Sequence, residues 1–131
     1  EGLIEFMLVD LRKRLDAVGR LDVLDSVGTR VLEHYDAQPA ERLDASALGQ
    51  RSRAQHLIGE IHQSGGRLDA ALAAYQRAAA TTARLLAQAP DDGQRVFDHA
   101  QSEFWVGYAA RERGDPAEAE RAFRAYHALA Q

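Results

Sequence analysis

The side chains able to do chemistry are few, and their spacing suits little of it. Five histidines are spread over 131 residues, and two of them stand four residues before a glutamate: His56 before Glu60, and His99 before Glu103. On a helix that spacing brings both side chains to one face, where two ligands can share a metal ion. A metal site needs three or four ligands, so each pair reads as a hydrogen-bonded couple on a solvated face, and no metal is expected. No cysteine, G-x-S-x-G motif or P-loop is present to supply a nucleophile or a phosphate cradle. Asp91-Asp92 and Asp22/Asp25 fit helix capping and surface positions better than a catalytic carboxylate pair. Catalytic residues and cofactors are therefore both expected to be none, and an enzyme is not expected.

Composition narrows the partners. Without cysteine there is neither a disulfide framework nor a thiolate metal site, and the redox compartment stays open. The formal charge is −4 with the signs interspersed, which offers no footprint for nucleic acid. No apolar run approaches the roughly 18–20 residues of a membrane span, so no direct membrane insertion is expected, and no signal-peptide pattern appears. Localisation is left open. The chain starts at Glu1 and stops within a helical pattern at Gln131, as a fragment of a longer chain would. Arginine outnumbers lysine fifteen to one and alanine is abundant, a bias that suggests a GC-rich bacterial genome.

The elements that position these residues are all helical. Leu8, Leu11 and Leu15, with Ile4 a turn earlier, give a stripe for a first helix over residues 3–18, which Gly19 ends. A second helix over 21–36 carries Leu21, Leu24, Val27, Val31 and Tyr35, and Pro39 marks the loop after it. A third, from 44 or 46 to 63, is anchored by Leu48, Leu57, Ile58 and Ile61, and Ser64-Gly65-Gly66 breaks it. The fourth repeats Leu68, Leu72, Tyr75, Ala79, Thr82 and Leu86 at alternating threes and fours. After Pro90-Asp91-Asp92 a fifth runs over 93–113. The sixth opens at Asp115-Pro116-Ala117-Glu118, which predicts an N-cap, a first-turn proline and a capping-box glutamate. No strand is expected.

These helices repeat. Gly19, Gly66 and Gly114 stand 47 and 48 residues apart. Gly66-Arg67-Leu68-Asp69 opens a segment whose Ala71, Tyr75 and Ala78 share one helix face. Gly114 opens a near-copy with Ala119, Phe123 and Tyr126, and Gly19-Arg20-Leu21-Asp22 repeats the opening. A supersecondary unit at a near-constant period marks a helical array. Ile58-Gly59, Gly66, Ala71, Tyr75 and Ala78, matched by Val106-Gly107, Gly114, Ala119 and Phe123, resemble the tetratricopeptide repeat (TPR). The resemblance implies an all-α single domain of three antiparallel hairpins, about 3–36, 44–88 and 93–131, stacked as a TPR-like solenoid. The departures are a period about 14 residues longer than the usual 34, close to four extra helical turns, and Gln55 and Glu103 at the first-helix tryptophan position. In the first hairpin, Arg12 stands where a small residue belongs and Gly28 where the aromatic belongs.

In that family the first helices line a concave surface. The resemblance then implies a partner-binding groove of Val9 and Lys13, then His56, Glu60 and Gln63, then Phe104, Tyr108 and Arg111, with Trp105 turned to the core. Phe104 to Ala110 is uncharged throughout, so that segment of the fifth helix is apolar all round. The lysine and asparagine of the family's carboxylate clamp are absent from those positions, and that mode of recognition is not implied. The function expected is a non-catalytic protein- or peptide-binding scaffold or sensory module. The alternative is a structural, self-assembling module that stacks through its end faces, with Phe123, Tyr126 and Leu129 left bare and open to self-association through the C-terminal helix. Phe6-Met7-Leu8-Val9-Asp10-Leu11-Arg12 followed by Val18-Gly19-Arg20-Leu21-Asp22-Val23-Leu24-Asp25-Ser26-Val27-Gly28 also resembles a block of large, membrane-anchored bacterial signalling proteins. That implies the sensory or scaffolding part of such a protein.

Overall fold

The computed structural model describes residues 2–16 and 21–131, with backbone only for residues 14–16 and 21–22. Among these residues the fold is all-α, with six helices and no strand: α1 (Gly2–Asp16), α2 (Leu21–Asp36), α3 (Ala45–Ser64), α4 (Leu68–Gln88), α5 (Gly93–Arg113) and α6 (Pro116–Leu129). A single 3-10 turn, Ala40–Arg42, lies in the loop that Pro39 opens. Among the described residues no helix is long and apolar enough to cross a membrane.

Local grammar sets the ends. Asp44, Asp92 and Asp115 each occupy an N-cap and accept backbone N–H groups of the first turn, from Ala47, from Gln94 and Arg95, and from Glu118 respectively. The capping box expected at α6 is only half made, because the Glu118 carboxylate is held by Arg121 and Gln76. Helices α3 and α5 end alike. Gly66 and Gly114 have φ of 75° and 86°, and the residue after each donates to a carbonyl five residues back, Arg67 to His62 and Asp115 to Ala110. Only glycine adopts that left-handed closure without cost, so each helix reverses within three residues. Gly19, expected at the third such turn, lies outside the described residues.

Side-chain pairings give the directions. Gln55 meets Thr81 and Gln63 meets Tyr75, so α3 and α4 run antiparallel. Tyr75–Trp105, Thr82–His99 and Leu85–Arg95 pair α4 with α5 in the same sense. Phe104 faces Tyr126 while Gly107 faces Phe123, which makes α5 and α6 antiparallel. Helix α2 crosses α3 through Asp25–His62 and Tyr35–Arg51. Helix α1 runs parallel to α3, with Glu5–Arg53 and Arg12–Glu60 both bridging a separation of 48 residues.

Two buried clusters hold the helices together. One contains Leu8, Leu32, Tyr35, Ala54, Ile58 and Ala74. The other contains Leu72, Tyr75, Ala79, Val106, Ala110 and Ala122 among its members. Displaced by 47 or 48 residues, Leu32, Ile58 and Ala74 of the first fall on Ala79, Val106 and Ala122 of the second. One substitution of chemistry stands out. Asp25 and His62 are 6 % and 2 % exposed and share a 2.8 Å hydrogen bond, whereas the equivalent pair across α4 and α5 is Leu72 and Ala110. The same Asp25 carboxylate also takes the Arg67 guanidinium.

The apolar residues at the C-terminal end, expected to be bare, are half-buried. Phe123 covers Gly107, and Tyr126 packs 5.5 Å from the Phe104 ring. The large exposed apolar side chains lie mostly on α1 instead.

Two predictions follow from this packing. A methyl group at Gly59 would sit 2.5 Å from the Tyr75 ring, and one at Gly107 would sit 2.7 Å from the Phe123 ring. Gly59→Ala and Gly107→Ala should each cost about 1–3 kcal/mol in urea unfolding despite alanine's better helix propensity. Gly93→Ala, where nothing lies within 4 Å, should be neutral or stabilising. Equal stabilities for all three would show that the rings yield freely. Second, Asp25→Leu alone should destabilise by about 1–3 kcal/mol, because it leaves His62 buried without a partner. Adding His62→Ala should recover most of that loss by adopting the Leu72–Ala110 solution, and additive losses in the double variant would refute the equivalence.

Candidate functional site

A cleft of about 640 Å³ opens between α1, α3 and α5. Glu5 and Val9 of α1 form one wall, and Arg53, His56, Leu57 and Glu60 of α3 lie across the middle. Asp98, Gln101 and Trp105 of α5 form the far wall, and Thr82 and Leu85 of α4 reach the floor. The three helices contribute at one register: Val9, Leu57 and Trp105 stand 48 residues apart, as do Glu5, Arg53 and Gln101.

The polar groups of the cleft are mostly paired. Arg53 meets Glu5 at 3.0 Å, and Arg12 meets Glu60 at 3.4 Å. Glu60 also lies 3.8 Å from His56, and Asp98 accepts a 2.8 Å hydrogen bond from Gln94. Carboxylates outnumber the guanidinium and the imidazole on these walls, so the cleft suits polar and cationic groups better than anions. Burial lowers the His56 pKa, against the upward pull of Glu60.

An aromatic ladder runs from the cleft into the protein. His56 packs against Tyr75 at 5.2 Å and Trp105 at 5.9 Å, and Tyr108 stacks on Trp105 at 5.5 Å with ring planes 22° apart. Tyr75 is buried, its hydroxyl donates to Gln63 at 2.6 Å, and burial raises its pKa. Arg111 caps the far end, 5.7 Å from both the Tyr108 and Phe123 ring centres.

The structure therefore brings together part of the set expected for the groove. Val9, His56 and Glu60 line the cleft. Gln63 is occupied with Tyr75, and Lys13 is exposed beyond the lining. Tyr108 stacks on Trp105 and Arg111 lies over Tyr108, and neither lines the cleft. Two neighbouring positions depart from the expected placement, Phe104 fully and Trp105 in part. Phe104, expected in the groove, turns to α6 and packs against Phe123 and Tyr126. Trp105, expected in the core, packs against the core with one part and lines the cleft with another. Arg53, Asp98 and Gln101 line the cleft without belonging to the expected set. The signal that finds them is the 48-residue register begun at Glu5 and Val9.

The second His–Glu pair lies elsewhere. His99 is 3.5 Å from Glu103 and its other nitrogen is 2.9 Å from the Thr82 hydroxyl. Glu103 is 7 % exposed and receives the Arg121 guanidinium, so this couple belongs to a buried network and not to a solvated face. Burial lowers the His99 pKa, opposed by Glu103 and helped by Arg121. Among the described residues no three His, Asp or Glu side chains come together as metal ligands. No protein-family model, curated protein or solved structure matches the chain.

The two lowered histidines give a pH prediction with a definite sign. The unfolded chain protonates its imidazoles near pH 6.5, while the fold resists protonation at His56 and His99. Their contribution to stability is complete above that pH and is lost as pH falls through the lower folded values. Thermal stability should thus fall as pH drops from 7.5 to 5.5, and the His56→Gln/His99→Gln double variant should show a flatter slope. An unchanged slope would assign the acid sensitivity to other groups.

Proposed function

We propose that the chain is a TPR-like repeat module that binds a protein or peptide segment in the cleft between its first helices, without catalysis. The carrying observation is that α1, α3 and α5 each contribute to one open cleft at the same 48-residue register. The parallel contact of α1 with α3 and the paired equivalents in the two cores support reading the six helices as three stacked hairpins. A wall that alternates Leu57, Trp105 and Val9 with Arg53, Gln101 and Glu60 suits an extended segment, offering it apolar contacts and hydrogen-bonding groups together. The composition and the resemblance favour a place in a bacterial signalling or regulatory protein.

Trp105 takes over from Tyr108 as the residue on which recognition turns, since large aromatic side chains dominate such contacts. The self-assembly alternative draws less from α6 than the sequence suggested, because α6 turns Glu120, Arg124 and His127 to solvent.

Selection of a displayed random-peptide library on the intact chain tests this reading. Peptides selected on the parent should lose at least about tenfold in affinity for Trp105→Leu and for the Arg53→Glu/Gln101→Arg pair. Melting temperatures should stay within roughly 5 °C of the parent, and Arg84→Glu, outside the cleft, should bind as the parent does. Peptides that bind the cleft variants undiminished would place recognition elsewhere.

A further inference from the structure

The exposed apolar side chains gather at one end of the molecule. Leu3, Phe6 and Met7 of α1 are 70 %, 68 % and 58 % exposed. Beside them Ile4, Leu11, Val27 and Val31 border a groove of about 270 Å³ between α1 and α2. The protein already fills an equivalent groove one repeat further on. Phe6 corresponds to Ala54, 48 residues later, and Val27 to Ala74, 47 residues later. Ala54 and Ala74 are both 0 % exposed, in the cluster that α2 closes with Leu32 and Tyr35. Leu3 and Met7 correspond to Arg51 and Gln55, which are also buried, and the Tyr35 ring covers Arg51 at 5.3 Å.

The charges follow the same displacement. Arg30 corresponds to Arg77, whose guanidinium pairs with Asp36 of α2 at 2.9 Å. Arg30 itself is exposed and makes no ion pair among the described residues. Residues 127–131 do not carry the matching surface. Two repeats on from Leu32, Tyr35 and Asp36 stand His127, Ala130 and Gln131, so copies stacked head to tail would set polar groups against Phe6.

We infer that this end of α1 and α2 is a docking site for an amphipathic helix of a partner protein, lying antiparallel to α1. The partner helix carries two apolar side chains three residues apart and a carboxylate directly after the second. The apolar pair fills the groove over Phe6 and Val27, as Leu32 and Tyr35 fill the one over Ala54 and Ala74, and the carboxylate meets Arg30. Asp10 stands at the equivalent of Ile58, so the incoming helix meets a polar group at one end of the groove.

Helix α2 carries this pattern, and a capped, fluorescently labelled peptide of residues 21–38 is therefore the probe. Titrated with the intact chain, it should bind saturably in about the micromolar to submillimolar range, since a short free helix must also be ordered. Phe6→Glu and Met7→Glu change exposed positions, so both should melt as the parent does, and each should weaken binding by at least about tenfold. Arg30→Glu should weaken it less, and a peptide carrying Asp36→Arg should restore it. A peptide of residues 116–131 should not bind. Equal binding to Phe6→Glu overturns the proposal. Absence of binding overturns it too. So does a sedimenting dimer that Phe6→Glu returns to monomer, which would give the face to a second copy.

Discussion

The contact on which the other packing depends is an aromatic ring laid on a glycine. Tyr75 lies on Gly59 and Phe123 on Gly107, each so close that no side chain could intervene. That approach lets a large ring from the second helix of a hairpin reach through the space between the two helices. Tyr75 thereby meets both His56 and Trp105, which also meet each other. The cleft wall thus inherits its shape from a crossing inside the hairpin, because Trp105 leans on a ring whose position the glycine sets.

The α2–α3 and α4–α5 contacts solve one packing problem with different chemistry. Across α4 and α5 the contact is Leu72 with Ala110; across α2 and α3 it is Asp25 with His62. A buried hydrogen-bonded pair gains little net stability, since both groups give up water, but breaking it is expensive. It also accepts fewer alternative registers than a smooth apolar contact does. The polar pair therefore fixes how α2 sits on α3 more than it strengthens the contact. Asp25 binds Arg67 at the mouth of the α3–α4 turn as well, which ties α2 to that turn.

Much of this was legible in the sequence. The helix ends were, because glycine at positive φ, aspartate at the N-cap and proline in the first turn are local constraints that act before tertiary packing. Pairing within hairpins was legible for a similar reason, since Gly59 with Tyr75 and Gly107 with Phe123 repeat as a set. What failed was rotation about the helix axis. Phe104 and Trp105 are neighbours, about 100° apart on the helix, and both are large and apolar, so type alone could not say which faces the cleft. The choice is made by α6, whose Phe123 and Tyr126 draw Phe104 toward them and leave Trp105 to Tyr75 and His56. Glu103 was misjudged likewise: spacing showed its histidine partner, but only the fold brings Arg121 and so allows the carboxylate to be buried.

Helix α1 shows how one element can face three environments. Ile4 and Leu8 turn to the first core, and Glu5, Val9 and Arg12 turn toward α3 and the cleft. Leu3, Phe6 and Met7 take the remaining side. At 100° per residue these sets occupy successive sectors of the helix, so its apolar residues are spread around the axis and not gathered in one stripe. Helix α6 is built the other way, with Ala119 and Ala122 buried and Glu120, Arg124 and His127 outside. Its apolar residues gather on one face and its outer face is polar, the amphipathic pattern of a surface helix. Large apolar groups held in water on α1 cost free energy that a polar exterior would avoid, and nothing inside the described fold recovers it. The cost is recovered only when something apolar covers that side, and the displaced equivalents of Leu3, Phe6 and Met7 are covered by a helix.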